Sequence, residues 1–419
     1  MFIHPTKFTE LLRSLLFASW LTLILATGTN DSFLQYVTTG NIDGVINYLQ
    51  KGTKICRSTM SRAIHHASQV GDLQMGQLLL DQSSEPFFSR TDSLIELEGY
   101  EALIEAIKGR HLEIIELLID NEVMIMKGFR KSSESTPLYF AAEAGLWDVV
   151  KVLIEKGAEV NEIDSNKVTT LMFAAKAGNA EIVQLCIKNG ANVNASNLIC
   201  GSTISLACES GNLEIVRILV QNGASVHEKS LLGKVIQGGN FDILKYLVEN
   251  GANVNPPVNS SLFSPLISAV KAGNLEMTKF LVENGTNVNA ICSTGLTALK
   301  KAAEVGNLEI VTFLVEQGAK VSSPIIDSPL HHAIKGGNPD VVRFLLDNGA
   351  KMITKENHST LVYAVKRGNV DVLKVLIEKG AIADSENGRI ALECAIEARK
   401  EKLVELLNAE LAKGISESK

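Results

Sequence analysis

The chain has 419 residues, 46% of them apolar and 5% aromatic, with 40 basic and 47 acidic side chains and a net charge of −7. The apolar content is ample for a core, and the scarcity of aromatics favours aliphatic helix packing over aromatic-rich strands. The acidic balance argues against a broad phosphate-binding surface, and six cysteines (Cys56, Cys186, Cys200, Cys208, Cys292 and Cys394) are too few for a disulfide framework at this length.

Residues 1–29 read as a hydrophobic leader. Leu15 to Ala26 is an apolar run of about 12 residues, too short to span a bilayer comfortably. Arg13 before it and the small residues Ala26 to Gly28 after it fit a signal peptide, while Glu10 and an imperfect A-x-A pattern count against one. Two readings stand at this point. Either the segment is a signal or anchor, making the protein secreted or touching a membrane through residues 15–26, or it is a retained cap on a cytoplasmic protein. Sequons at Asn30, Asn194, Asn259, Asn284 and Asn357 matter only in the secreted case.

From residue 30 a phrase recurs. The glycine of "GN" or its equivalent stands at Gly40, Gly71, Gly145, Gly178, Gly211, Gly239, Gly273, Gly306, Gly337 and Gly368, with Arg110 and Arg399 in the same place in two degenerate repeats. Most intervals are 31 to 35 residues, which is the signature of a solenoid of small supersecondary units. In nine repeats a second glycine follows 12 residues later, Gly223 after Gly211 for example. Between them Ile215, Val216, Leu219 and Val220 share one helical face. Asn212 is placed to cap the first amides, Glu214 suits the helix dipole, and Gly223 offers a left-handed stop. Upstream of each "GN" lies a short first helix, as in TPLYFAAEAG (136–145), TTLMFAAKAG (169–178) and SPLHHAIKGG (328–337), with Thr or Ser at the cap and Ala for close contact. The stretch after the second glycine is polar, turn-like and the most variable in length.

TPLYFAA at 136, SPLHHAI at 328, G-N-x-E/D-I/V-V and GA-x-V-N together resemble the ankyrin repeat family, over roughly residues 31–408. The resemblance implies an all-α repeat solenoid: stacked helix pairs with projecting β-hairpin loops, about 12 repeats over residues 30–408, and a C-terminal tail at 409–419. It further implies a protein-recognition scaffold, binding through a concave helix face and hairpin tips, without a catalytic centre.

Departures from the rhythm draw attention. The histidine of the family's T-P-L-H survives only at His65 and His331. The longest interval, 39 residues, holds EPFFSRTDSLIELEGY (85–100), read as an elaborated hairpin or a protruding binding element. The shortest, 28 residues, lies between Gly211 and Gly239, where a cropped hairpin would divide the array into two blocks near residue 230. Pro256 and Pro257 stiffen the next connector. The charged run after Glu397 reads as a polar C-terminal cap.

No catalytic, cofactor-binding or metal-ligating residue emerges. The pairs His65–His66 and His331–His332 are far apart in the repeat order, Cys200 and Cys208 lack metal-ligand spacing, and there is no P-loop or H-E-x-x-H pattern. Cys186, in a helix position held elsewhere almost always by Leu, is expected to be a buried thiol. The binding candidates are Trp147 with Leu146, and the connector residues Leu198, Ile199, Phe263, Ile325 and Ile326, apolar groups of the kind that anchor partners or pack locally. Glu159, Glu162 and Asp164 are placed either to steer a basic partner or to solvate the surface. The expected partner is a protein, not a nucleic acid, and the chain is expected to be a monomer without cofactors. It reads as a non-enzymatic scaffold, secreted or host-directed in one reading and a membrane-associated anchoring protein in the alternative.

Overall fold

The computed structural model describes residues 31–53, 55–82, 93–121, 136–163, 166–197, 199–255, 264–322, 327–353, 359–381 and 385–417. The chain divides into two compact halves, Met1–Leu206 and Ala207–Lys419. The first contains α1 (Asp31–Thr38) with α2 (Ile42–Gln50), α3 (Arg57–Val70) with α4 (Leu73–Asp81), and α5 (Ser93–Gly109) with α6 (Leu112–Asp120). It continues with α7 (Pro137–Ala144) and α8 (Trp147–Glu155), α9 (Thr170–Ala177) and α10 (Ala180–Lys188), and the strands β1 (Ser196–Asn197) and β2 (Gly201–Ser202). The boundary falls inside α11 (Thr203–Ser210), whose partner is α12 (Leu213–Gln221). Then come α13 (Leu231–Gln237) with α14 (Phe241–Glu249), α15 (Pro265–Lys271) with α16 (Leu275–Glu283), and α17 (Ala298–Val305) with α18 (Leu308–Glu316). The last pairs are α19 (Pro329–Gly336) with α20 (Pro339–Asp347), α21 (Thr360–Arg367) with α22 (Val370–Glu378), and α23 (Ser385–Glu397) with α24 (Glu401–Glu417).

Within each half the odd-numbered first helices stack on one another, and the even-numbered second helices form another layer. The seam between layers is aliphatic. Ile215, Val216 and Leu219 of α12 are fully buried, and each such side chain contributes about 1.5–3 kcal/mol by leaving water. Val220, which the repeat pattern groups with them, is only half-buried. First helices pack closely because alanine lines their contacts: Ala141 and Ala142 on α7, Ala174 and Ala175 on α9, and Ala302 and Ala303 on α17 are all buried. Closest of all is Gly336, where an added Cβ would lie 2.1 Å from the Glu304 carbonyl oxygen, so α17 and α19 can meet there only over a glycine.

Local signals set the helix ends. Asn212 Oδ1 accepts from the amides of Glu214 and Ile215 at 3.0 and 3.3 Å, as its cap position predicts. The ruler glycines are left-handed, with Gly337 at φ 77°. Arg110 and Arg399 hold that conformation without being glycine, at φ 57° and 54°. This confirms them as true ruler positions, since a non-glycine residue there costs about 1–2 kcal/mol.

The capping asparagines also act between repeats. Asn338 Nδ2 donates to the Gly306 carbonyl at 2.9 Å, and Asn369 Nδ2 to the Gly337 carbonyl at 2.8 Å. In the degenerate repeats, His111 Nε2 lies 3.2 Å from the Gln69 carbonyl oxygen and Lys400 Nζ donates to the Val365 carbonyl at 2.8 Å. The same register position thus ties each of these repeats to its predecessor even when its chemistry changes.

The connectors correct the expectation of projecting β-hairpins. Among the described residues only β1 and β2 pair, antiparallel, with Ser196 opposite Ser202 and Asn197 opposite Gly201. In three other connectors an asparagine side chain makes the link that a backbone ladder would. Asn161 Nδ2 donates to the Gly190 carbonyl at 2.8 Å while its Oδ1 accepts from the Asn192 amide at 2.7 Å. Asn255 does the same with Gly285 and Asn287, and Asn289 with Gly318 and Lys320. One amide group presents a donor and an acceptor, so it meets both needs of the neighbouring connector without a strand.

Three further readings shift. The long interval is not a hairpin throughout, because the chain is helical from Ser93, making α5 17 residues long. Leu and Glu, which make up four of the seven residues of SLIELEG, are good helix formers. Residues 83–92 lie outside the described residues, as do Pro256 and Pro257. The short connector, 222–230, lies inside the second half and not at a division near residue 230, because α13 still stacks on α15 and α12 on α14. At the C-terminus α24 runs to Glu417, through the 408/409 point where the sequence suggests a tail.

Gly337 and Gly349 separate conformational strain from the repeat-to-repeat bond. Both are left-handed, but a Cβ at Gly337 would lie 2.9 Å from Asn369 Nδ2, while at Gly349 it meets nothing within 4 Å. Gly349→Ala is expected to cost about 1–2 kcal/mol from backbone strain alone, and Gly337→Ala to cost measurably more. Urea unfolding of the two variants checks the order.

Candidate functional site

In most repeats the residues five and two places before the ruler position lie on the outer side of the first-helix layer, while the two positions between them are buried. In the first half this gives Phe140 on α7 and Phe173 on α9, both half-buried. Tyr139 joins them edge-on, its ring 5.6 Å from that of Phe140 and 5.3 Å from that of Phe173. The Lys108 ammonium of α5 sits 4.8 Å from the Phe140 ring centre, and the Tyr139 hydroxyl donates to Glu143 at 3.3 Å. The patch is apolar, edged by one cation and one carboxylate. Sequence reasoning missed it, although TPLYF and TTLMF place the two phenylalanines in the same register.

In the second half the same row is charged. Lys300, Lys301 and Glu304 on α17 face His332 and Lys335 on α19, with Asp327 just before α19. Lys335 Nζ reaches Glu304 at 2.7 Å and Lys301 Nζ at 3.2 Å. Hydrogen bonding from Lys335, then from Lys301, outweighs partial burial and holds the Glu304 carboxyl down at about 2. Asp327 bonds Lys300 through one oxygen and His332 Nε2, at 2.7 Å, through the other. Burial pushes the Asp327 carboxyl up, but these bonds leave it below the usual range. His331, next to this surface, points inward. It is buried, its Nδ1 lies 2.9 Å from Ser328 Oγ, and its ring centre lies 5.2 Å from that of Tyr363 with the planes tilted at 45°. The Ser–His pair of the repeat motif is therefore intact there. Burial, then the neighbouring His332, lowers the affinity of His331 for a proton.

The residues singled out from sequence do not converge. Trp147 is half-buried at the first position of α8, and Leu146 occupies the cap position, where it offers no side-chain bond. Ile199 is 77% exposed beside the β1–β2 turn. Leu198, Phe263, Ile325, Ile326 and Asp164 lie outside the described residues, and Glu159 and Glu162 are half-buried. All six cysteines are free thiols. Cys186 is buried as expected, and burial pushes it up to about 12, as it does Cys208, where nearby Glu228 and Glu209 add to the effect. Among the described residues no group of three or more His, Cys, Asp or Glu is placed to hold a metal ion, and no helix is long and apolar enough to cross a membrane.

A sequence model of ankyrin repeats (3 copies) matches residues 64–164, 158–230, 204–292, 231–325, 289–356 and 330–416. The ankyrin repeat and KH domain-containing protein mask-1 of Caenorhabditis elegans is 25% identical over 145 residues, which is 33% of this chain and 6% of that protein. The chain thus spans a small fraction of the length of the curated relative it matches. The crystal structure of the human ASB11 ankyrin repeat domain is similar with a TM-score of 0.45 and 26% identity, covering 52% of this chain and 100% of that one.

Two titrations follow from the charged row. Glu304 is more acidic folded than its ordinary value of 4.5, so it stabilises the fold above pH 4.5 and loses that contribution as pH falls toward 2. Lys335→Met is expected to raise the Glu304 midpoint by about 1 pH unit, read by carbon-13 NMR of the carboxyl. His331 binds a proton less readily folded than its ordinary value of 6.5, so its contribution is present above pH 6.5 and is lost as pH falls below it. His331→Gln should flatten the stability profile between about pH 7 and 5, measured by urea midpoints.

Proposed function

Because the chain belongs to the ankyrin repeat family, we propose that it is a non-enzymatic scaffold that recognises a protein partner through its first-helix layer and adjoining connectors. One observation carries this reading. Capping and seam positions repeat, while the outward positions of the first helices change chemistry from repeat to repeat, through Phe140, Phe173, Lys301, His332 and Tyr363. A surface whose framework is constant and whose exposed residues vary is what selective binding requires. The half-exposed rings of Tyr139, Phe140 and Phe173 have the character of interface anchors.

The apolar run at residues 15–26 supports a second reading, in which the scaffold is anchored at a membrane or exported. Intact mass and cell fractionation separate these. Loss of about the first 26–28 residues with release to the medium supports export, and full-length chain in the membrane fraction supports anchoring.

Photo-crosslinking residues placed at Phe140, Lys271 and Lys366 on the first helices should give protein adducts, and the same residues at Lys245 and Lys374 on the second helices should not. Adducts confined to the second helices, or none at all, would sink the recognition reading. Phe140→Ala and Phe173→Ala together should weaken capture by the first half by at least about tenfold, measured by pull-down of the identified partner.

A further inference from the structure

From α13 to α22 the second half separates its charges by layer, while the flanking first helices do not share the pattern, α11 carrying Glu209 and α23 carrying Arg389 against Glu386, Glu393 and Glu397. The first helices α13, α15, α17, α19 and α21 carry seven lysines and arginines and one acidic residue, Glu304. The second helices α14, α16, α18, α20 and α22 carry ten acidic residues and four basic ones. A chain of net charge −7 therefore presents, over these five repeats, a row of first helices with a positive excess of six and a row of second helices with a negative excess of six. The first half does not share this pattern, since its first helices α1, α3, α5, α7 and α9 carry four basic and six acidic residues.

Part of the positive layer is already neutralised. Lys234 pairs with Glu209 at 3.0 Å, Lys300 with Asp327, and both Lys301 and Lys335 with Glu304. Lys271, Lys366 and Arg367 remain exposed, and among the described residues no carboxylate stands within salt-bridge distance of them. Arg367 is steadied over the Tyr363 ring, 5.4 Å from its centre, with Nη2 donating to the hydroxyl at 3.2 Å. The second layer shows the opposite economy. Arg343 pairs with Glu378, Lys374 with Asp371 and Lys379 with Asp347, and carboxylates remain in excess.

We propose that the first-helix layer of the second half, from α13 to α21, binds an acidic polypeptide segment. This rests on the recognition reading above and names the class of partner. First helices about 10 Å apart make the row about 40 Å long, which an extended chain covers with about 12 residues. A segment of that size lying on one layer feels the cations of that layer. The acidic second layer is screened from it beyond about 10 Å at 0.1 M salt. A long polyanion such as a nucleic acid duplex is the poorer fit, because it meets the field of the whole molecule, which is negative.

The test uses the full chain and a fluorescein-labelled peptide of about 12 residues rich in Asp and Glu, with the Asn/Gln counterpart as control, read by fluorescence anisotropy. The acidic peptide should bind, the neutral one should not, and raising salt from about 50 to 300 mM should weaken binding at least about tenfold. The triple variant Lys271→Glu/Lys366→Glu/Arg367→Glu should abolish binding. The variant Lys245→Glu/Lys279→Glu/Lys374→Glu changes net charge equally from the second layer and should alter affinity less than about twofold. Circular dichroism confirms that both fold. The proposal is overturned if the two triple variants weaken binding alike, if the acidic peptide fails to bind at low salt, or if a single-stranded oligonucleotide of matched length binds more tightly. Its failure is distinct from failure of the recognition reading. Crosslinks from Lys271 and Lys366 to a partner segment that is not acidic overturn only the acidic class, whereas absence of any first-helix adduct removes the recognition reading as well.

Discussion

One asparagine position connects local to global order in this protein. In a repeat such as that of Asn338, Oδ1 accepts from the amides of Asp340 and Val341 and so starts α20, while Nδ2 donates to the carbonyl of Gly306 in the preceding repeat. A single planar amide thereby sets where a helix begins and where it lies relative to its neighbour. The geometry requires the preceding carbonyl to turn toward the asparagine, which the left-handed glycine does without steric cost. It also requires room beside that glycine. Asn338 Nδ2 lies 3.0 Å from where a Cβ at Gly306 would be. Where this bond forms, at Gly306 and Gly337, glycine leaves the room that the asparagine of the next repeat occupies.

The degenerate repeats show which part of this constraint is indispensable. Arg110 keeps the left-handed turn, and its guanidinium donates to the Ala144 carbonyl at 2.7 Å, which links α5 to the end of α7. His111 and Lys400 lose the cap but keep a contact with the previous first helix. What persists is the link between repeats. That agrees with the energetics of solenoids, in which nearest-neighbour interfaces carry stability that a single repeat lacks. A frame held by caps, alanine contacts and side-chain clamps leaves the outer first-helix positions free to vary. The aromatic patch of α7 and α9 and the cationic layer of α13 to α21 are two uses of that freedom.

The expectations that needed correction share a cause. β-Hairpins were expected between helix pairs, yet asparagines 161, 255 and 289 meet the neighbouring connector through one amide each. Whether a polar connector forms a strand ladder or a side-chain clamp depends on what stands opposite, about 30 residues away in sequence. The segment at 85–100 sits in the longest interval and reads as an elaborated hairpin or a protruding binding element, but its Leu and Glu content favours helix and α5 begins at Ser93. Interval length marked an insertion correctly without telling which element had grown.

Much of the architecture is decided within windows of a few residues. Cap asparagines, left-handed glycines, the proline at the start of α20 and the apolar spacing of α12 act on their own helix, so the sequence alone determined the type and order of the paired helices among the described residues. It also determined that Cys186 is buried. The candidate site was less legible. Of the apolar residues singled out, Ile199 is exposed and Trp147 half-buried, while the clustering of Tyr139, Phe140 and Phe173 became visible only when α7 and α9 were side by side. The same holds for Glu304, whose acidity comes largely from Lys335 on the next first helix, and for the glycine contact that brings those two helices together. Tertiary structure alone decided these, because each depends on groups about one repeat apart being brought within a few ångströms, and stacking, not chain proximity, supplies that distance.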